Sequence, residues 1–160
     1  MGRKALTRNG VQSTFSILQP LALTIFLAER KVKKFYRALT ANAPEQRQGR
    51  LEHWHRKEKK KAVLYDHEIE YSEKAILDYT VTPLPDEKFL WEIELHTGKY
   101  HQIRAQLANT GCPIIGDELY GSNQPYQKDA IALEAYRLVF HHPVTGTEID
   151  LHLSAGISVK

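Results

Sequence analysis

A single cysteine, Cys112, stands in 160 residues. No internal disulfide can form, and a lone thiol fits a reducing compartment. Nothing in the sequence pairs Cys112 with a base, so it reads as a small buried hydrophobe. Long apolar runs are also missing. The nearest approach, "FSILQPLALTIFLA", follows Arg3, Lys4 and Arg8 and imitates a signal peptide. Pro20 interrupts it, and "AERK" follows without a small-residue cleavage pattern. The run is shorter than the roughly 20 residues that a membrane span needs. A cytosolic protein without a membrane partner is expected. Charge of one sign is scarce too. The formal net charge of +3 is weak evidence for any polyanionic partner, so local clustering matters more. There is no internal repeat and no low-complexity tract. What remains is 42% hydrophobic and 26% charged, which suits one compact domain with a single core.

Period-two alternation organises much of the chain. "KVKKFYRALT" reads as a strand with Lys34, Tyr36 and Ala38 on one face and Phe35, Arg37 and Leu39 on the other. "NAPEQRQG" reads as a loop. "HWHRKEKKKAVLY" is a basic segment. "AILDYTVTPL" and "KFLWEIELH" predict two antiparallel strands joined by "PLPDEK", with Phe89, Trp91, Ile93 and Leu95 forming an apolar face. "CPIIGDELYG" reads as a buried strand fragment. "AYRLVFHHPVTGTEIDLHL" reads as a hairpin, with Tyr136, Leu138 and Phe140 inward on one arm and Ile149, Leu151 and Leu153 inward on the other. The pattern predicts an α+β fold built on a mixed, mainly antiparallel sheet with short helices.

Between the strands lies "LHTGKYHQIRAQL", a turn that delivers Tyr100, His101, Gln102 and Arg104 within a few positions. "KYHQIRAQLANTG" predicts a short helix with Tyr100, Ile103 and Leu107 on one face. Thr97 is the expected N-cap and Gly111 the C-terminal stop.

The longer stretch "LHTGKYHQIRAQLANTGCPIIGDELYG" resembles the RluA-type RNA pseudouridine synthases. Thr97, Gly98, His101 to Arg104, Gly111, Pro113, Ile114, Gly116, Asp117, Tyr120 and Gly121 fit that family's TGR-x-HQIR and G-x-PI-x-GD-x-x-YG pattern. "ERKVKKFYRAL" and "IALEAYRLVFHHPVTG" match two further segments in the right order. The likeness runs from about Ala28 to Leu153, and three ordered motifs are far more specific than one.

The resemblance implies a pseudouridine synthase-like fold with a central RNA cleft, incomplete at its N-terminus. It divides the chain into an atypical segment, residues 1–27, and a partial catalytic domain, residues 28–160. It implies an isomerase that converts uridine to pseudouridine in structured ribosomal or transfer RNA, with no metal and no organic cofactor. That reaction breaks the N1–C1′ bond, turns the uracil and rejoins it through C5. The base must first leave its stack, at roughly a few kcal/mol. A carboxylate at the sugar, a cation to hold it, and an aromatic against the ring are then needed. By the resemblance, Arg104 is the cation, whose fork can pair bidentately with a carboxylate. Tyr36 is the aromatic and a candidate to assist removal of the C5 proton.

The family's nucleophile is the aspartate of an HRLD motif upstream of the tyrosine strand. That motif is missing, and no aspartate precedes Asp66. "KALTR" resembles the helix that should follow HRLD, and "LAERKVKKFY" resumes the pattern after an interruption. The expectation is a truncated reading frame with an out-of-frame stretch between two true pieces. Arg104 is then expected to be an unpaired cation, and the isolated chain to be inactive or nearly so. Asp117 is expected to be structural. Smaller departures are Lys99 in place of arginine, Tyr100 in place of a small polar residue, and Glu134 in place of histidine, which puts negative charge near a site meant for RNA.

Candidate RNA contacts are Lys59, Lys60 and Lys61 of the run "RKEKKK", with Lys31, Lys33, Lys34, Lys99, His101 and Gln102. Lysine contacts to phosphate supply affinity but little sequence choice. The plainer reading of the run is a solvated face; that of His101 and Gln102 is a brace for the turn. The pairs His53/His55 and His141/His142 lack a third ligand at a helpful spacing, so hydrogen-bonded histidines are expected there. The alternative function is a non-catalytic RNA-binding remnant.

Overall fold

The computed structural model describes residues 32–153 and 156–157. Residues 1–27 and Lys31 lie outside the described residues. The element order is β1 (Lys33–Thr40), β2 (Gln48–Glu58), β3 (Lys61–Tyr65), β4 (Glu73–Pro83), β5 (Phe89–Leu95), helix α1 (Gln102–Asn109), a 3₁₀ turn (Glu118–Tyr120), β6 (Leu133–His141) and β7 (Glu148–His152). The strands form one seven-stranded sheet in the order β3-β2-β4-β5-β1-β6-β7. Its six strand pairings are all antiparallel.

Alternation in β4 and β5 builds the core. Ala75, Leu77, Tyr79 and Val81 point to the same side as Trp91, Ile93 and Leu95. The register places Leu77 opposite Leu95, Tyr79 opposite Ile93 and Val81 opposite Trp91. Helix α1 covers this face through Ile103 and Leu107. Burying each large apolar side chain contributes about 1.5–3 kcal/mol. Trp91 is fully buried, yet its indole N–H still finds a partner in Thr40 Oγ1 at 2.9 Å. The other face is polar. Arg37 pairs with Glu92 and Arg50 with Asp78, and Arg50 with His96 holds the Asp78 carboxyl well below the usual carboxylate range. Water screens such exposed pairs, so they add little to stability.

Three expectations need correction. "HWHRKEKKKAVLY" is a β-hairpin: β2 and β3 pair from Trp54↔Tyr65 to Glu58↔Lys61, with Lys59 taking a positive φ of 52° at the turn. "CPIIGDELYG" is not a strand. Ile114 makes a single bridge to Thr40, and Gly116 turns the chain at φ 86°. Pro113 has no N–H to extend that pairing. In the last hairpin Val139 is the buried residue of β6, while Leu151 and Leu153 are exposed. Leu138, Val139 and Phe140 are consecutive and apolar, so periodicity alone cannot choose the inward face. Pairing with β1 chooses it.

Gly116 illustrates how tightly the irregular segment is held. A Cβ there would lie 2.7 Å from Tyr126 Cβ and 2.8 Å from the Ala130 carbonyl oxygen, on a backbone that disfavours side chains. Gly116→Ala is expected to lower stability by about 2 kcal/mol, read as a fall in the urea midpoint without a change in slope.

Candidate active site and nucleic-acid interface

Helix α1 begins one residue after a strained position. His101 is its N-cap, in the left-handed region at φ 52°, and no side chain caps the helix. Thr97 is therefore not the cap. Its hydroxyl donates to Gln102 Oε1 at 2.9 Å and accepts from the Ile76 N–H at 2.8 Å. Tyr100 precedes the helix and is exposed rather than sharing the apolar face with Ile103 and Leu107. Gly111, at φ 77°, does end the helix, its N–H donating to the Ala108 carbonyl.

Gln102 is 2% exposed. Its oxygen accepts from the Lys99 N–H and Thr97, and its NH₂ donates to the Ile76 carbonyl and Gln106 Oε1. The Gln102 side chain braces the turn and is closed off from solvent. Gln106 continues the brace to the Leu51 and Ala75 carbonyls at 3.2 Å each. These bonds tie α1 to β2 and β4.

Arg104 leaves the opposite side of the helix and meets Asp117. Its Nε donates to Asp117 Oδ2 and its Nη2 to Oδ1, each at 2.7 Å. Asp117 is 1% exposed. The expectation of an unpaired cation is overturned: a carboxylate 13 residues downstream engages two of the three guanidinium nitrogens. That pairing raises the Arg104 pKa against the opposing effect of burial. The remaining nitrogen, Nη1, donates to His101 Nε2 at 2.8 Å. This fixes the tautomer, so His101 Nδ1–H donates to the Tyr120 oxygen at 3.2 Å. The Ala62 N–H of β3 donates to the same oxygen at 2.8 Å. Burial, then the Arg104 charge, pushes the His101 pKa down. Burial pushes the Tyr120 hydroxyl up.

Aromatic rings and cations gather around this chain of bonds. Tyr100 stacks on His101 with centroids 3.9 Å apart, and the Lys57 ammonium sits 4.4 Å above the Tyr100 ring. The Arg104 guanidinium lies 5.0 Å from the Tyr120 centroid, and the Lys61 ammonium lies 5.9 Å from it. His55 donates to the Tyr100 carbonyl at 2.7 Å. The β2–β3 hairpin is therefore folded over the start of α1. Lys59 and Lys60 stand exposed at its tip. A cavity of about 660 Å³ opens beside Arg104 and Asp117, walled by Tyr126 and Ile131.

Lys34 and Tyr36 lie on β1, opposite Leu95 and Ile93 of β5. Tyr36 is half-buried against the core, and with Lys34 it lines a different cavity of about 470 Å³ beside Tyr136 and Leu151. Lys34 does approach the turn: a Cβ on Gly98 would lie 3.6 Å from its Nζ. Lys33 is exposed on β1. Lys99 is paired with Glu73. Glu134 accepts the Ile157 N–H at 2.9 Å. His53, His55 and His142 are hydrogen-bonded, and no group of three or more His, Cys, Asp or Glu among the described residues is placed to hold a metal. No helix among them is long and apolar enough to cross a membrane. Sequence reasoning missed Lys57, Tyr120 and Asp117 as parts of one cluster. The strand alternation of "HWHRKE" was the signal that could have separated Lys57 from its neighbours.

Asp117→Asn should leave Arg104 without its counter-charge. The expected loss is roughly 3 kcal/mol, the low end for a broken buried pair because Arg104 keeps 19% of its side chain in solvent; chemical denaturation measures it. A second expectation concerns pH. The folded-state pKa of His101, and of His53, lies below the ordinary 6.5 because burial opposes charging. The unfolded chain therefore binds more protons between the two values. Stability contributed by the neutral rings is whole above about pH 6.5 and is lost as pH falls towards the folded values. The thermal midpoint should drop on acidification through that window, and His101→Asn should remove part of the slope.

Residues 18–109 match the family described as RNA pseudouridylate synthase. An uncharacterised RNA pseudouridine synthase of Chlorobaculum parvum is 32% identical over 142 residues, covering 77% of this chain and 43% of that protein. The ribosomal large subunit pseudouridine synthase C of Rickettsia bellii is 32% identical over 127 residues, covering 77% of this chain and 42% of that one. The chain thus spans about two-fifths of the length of these relatives. The solved structure titled human RNA pseudouridylate synthase domain containing 1 superposes with a TM-score of 0.67 at 20% identity, covering 84% of this chain and 59% of that one, and shares the fold. A matched family region longer than half the chain, on a mainly antiparallel sheet of the same fold, places this protein in the RNA pseudouridylate synthase family, among the relatives of RluA type.

Proposed function

We propose that this chain carries the RNA-gripping and uridine-positioning part of a pseudouridine synthase site, and that by itself it isomerises uridine little or not at all. The supporting observation is the state of Asp117. It is the carboxylate that Arg104 holds, both of its oxygens accept from that guanidinium, and it is 1% exposed. Glycosidic exchange needs a carboxylate that can reach C1′ of an extruded nucleotide. Asp117 cannot leave Arg104 without stranding a cation beside the cavity. No other aspartate or glutamate bonds to Arg104 among the described residues. The HRLD aspartate is the group this reading requires.

In the same reading, Arg104 orients that added carboxylate while Asp117 fixes Arg104. Tyr36 faces the extruded uracil. Lys59, Lys60 and Lys61 on the β2–β3 hairpin meet phosphates of structured ribosomal or transfer RNA, and Lys33 and Lys34 do so from β1. The lone buried Cys112 supports a reducing, cytosolic setting. A non-catalytic RNA-binding remnant is the second reading, favoured by the same locked Arg104–Asp117 pair.

The test is a tritium-release assay, with uridine labelled at C5 in ribosomal and transfer RNA transcripts, run beside a binding assay on the same preparation. Background release together with salt-dependent binding is expected. Turnover at an ordinary enzymatic rate would refute the inactivity, and absence of any RNA binding would refute both readings. Grafting an HRLD-bearing segment separates the two: restored release supports the synthase, and none supports the remnant.

A further inference from the structure

The loop between β3 and β4 carries an aromatic that folding does not account for. Tyr71 is 83% exposed and sits at φ 61°, in the left-handed region. Glycine or asparagine adopts that conformation at lower cost than a bulky aromatic does. The turn is held without the ring. Ser72 N–H donates to the Ile69 carbonyl at 3.0 Å, the Ser72 hydroxyl donates to the same carbonyl, and the Ile69 N–H donates to Ser72 Oγ. Among the described residues, the Tyr71 ring makes no hydrogen bond, ring stack or cation contact.

Tyr71 lines a cavity of about 600 Å³ with His55, Arg56, Lys57, Lys99 and Tyr100, together with Glu58 and Glu73. Both carboxylates are already committed, Glu58 to Arg56 and Glu73 to Lys99. Lys57 has no carboxylate partner among the described residues; its ammonium rests on the Tyr100 ring. The other face of Tyr100 is covered by His101. Tyr100 is thus a wall, Lys57 the available cation, and Tyr71 the open aromatic face. Glu68 and Glu70 stand exposed on the loop of Tyr71 itself. They repel a phosphate from that side and leave the Lys57 side for the backbone.

We propose that this cavity is a subsite for one unpaired RNA base, stacked on Tyr71 with its phosphate at Lys57, lying apart from the Arg104 cavity. It rests on the RNA-binding reading above and extends it. Every base has a π-face, so the subsite selects for single-stranded character next to the bound structure, not for a particular base. It follows that this RNA should carry an unpaired nucleotide beside the helix that the lysines grip.

Three RNAs test this with the full chain: a hairpin with a short single-stranded uridine tail, the same hairpin with an abasic tail, and the blunt hairpin. Tyr71→Asn keeps the left-handed turn and removes the ring. It should weaken binding of the tailed hairpin roughly tenfold and leave the blunt hairpin unchanged, while Tyr71→Phe binds like the parent. The abasic tail on the parent protein should lose the same factor. Lys57→Gln should weaken both tailed RNAs alike and lower the salt slope. If Tyr71→Asn binds the tailed hairpin as well as the parent does, or weakens all three RNAs equally, the subsite is wrong and the RNA-binding reading stands. If the parent binds none of the three, both fall.

Discussion

Two parallel N–H···O bonds between Arg104 and Asp117 join the helix to the turn that follows it. Almost every polar contact of the candidate site can be traced from this pair. With its Nε and Nη2 directed at Asp117, Arg104 presents Nη1 to His101, which selects the tautomer that donates to Tyr120. Tyr120 in turn receives the Ala62 N–H and anchors the β2–β3 hairpin. A bidentate pair fixes direction as well as distance, which a lysine could not do. The pair also neutralises a cation that would otherwise be left at a cavity wall.

Beneath this ionic layer lies an amide layer. Gln102 and Gln106 are both nearly inaccessible, and they bond to each other and to carbonyls of β2 and β4. Buried amides tolerate burial only when satisfied. No buried side-chain N or O among the described residues lacks a partner. The helix is eight residues long and begins without a side-chain cap. Isolated helices of that length are marginal in water. The amide contacts and the apolar packing of Ile103 and Leu107 supply the order that local propensity cannot.

Charge is arranged in two groups rather than one. The hairpin brings Lys57, Lys59, Lys60 and Lys61 beside the start of α1, while Lys33 and Lys34 lie on β1, where the Lys34 ammonium approaches Gly98. Several neighbouring cations, such as Arg56, Lys99 and Arg37, are already paired with glutamates. A modest net charge therefore coexists with local surfaces suited to a polyanion. Aromatic rings interleave with the cations at Tyr100 and Tyr120.

Much of the sheet was legible in the sequence because alternation in β4 and β5 is a local property of one buried face. The HQIR and GD…YG spacing likewise carried the family and named Arg104. Other features depended on contacts between distant residues. A basic run hid the β2–β3 hairpin, since lysines on a strand look like lysines on any solvated surface. The left-handed backbone of His101 displaced the helix start, and no side-chain pattern announces that. Gln102 could be read as a brace for the turn, but the Ile76 carbonyl it bonds comes from a distant strand and appears only in the fold. Asp117 could be read as structural from its motif, but its role as the partner of Arg104 arose when the turn at Gly116 brought the chain back to the helix. Residue order thus determined the strands, the motif and the kinds of charge present. Only the tertiary structure decided which charge meets which, because ion pairing depends on distance through space, and the fold alone sets that distance.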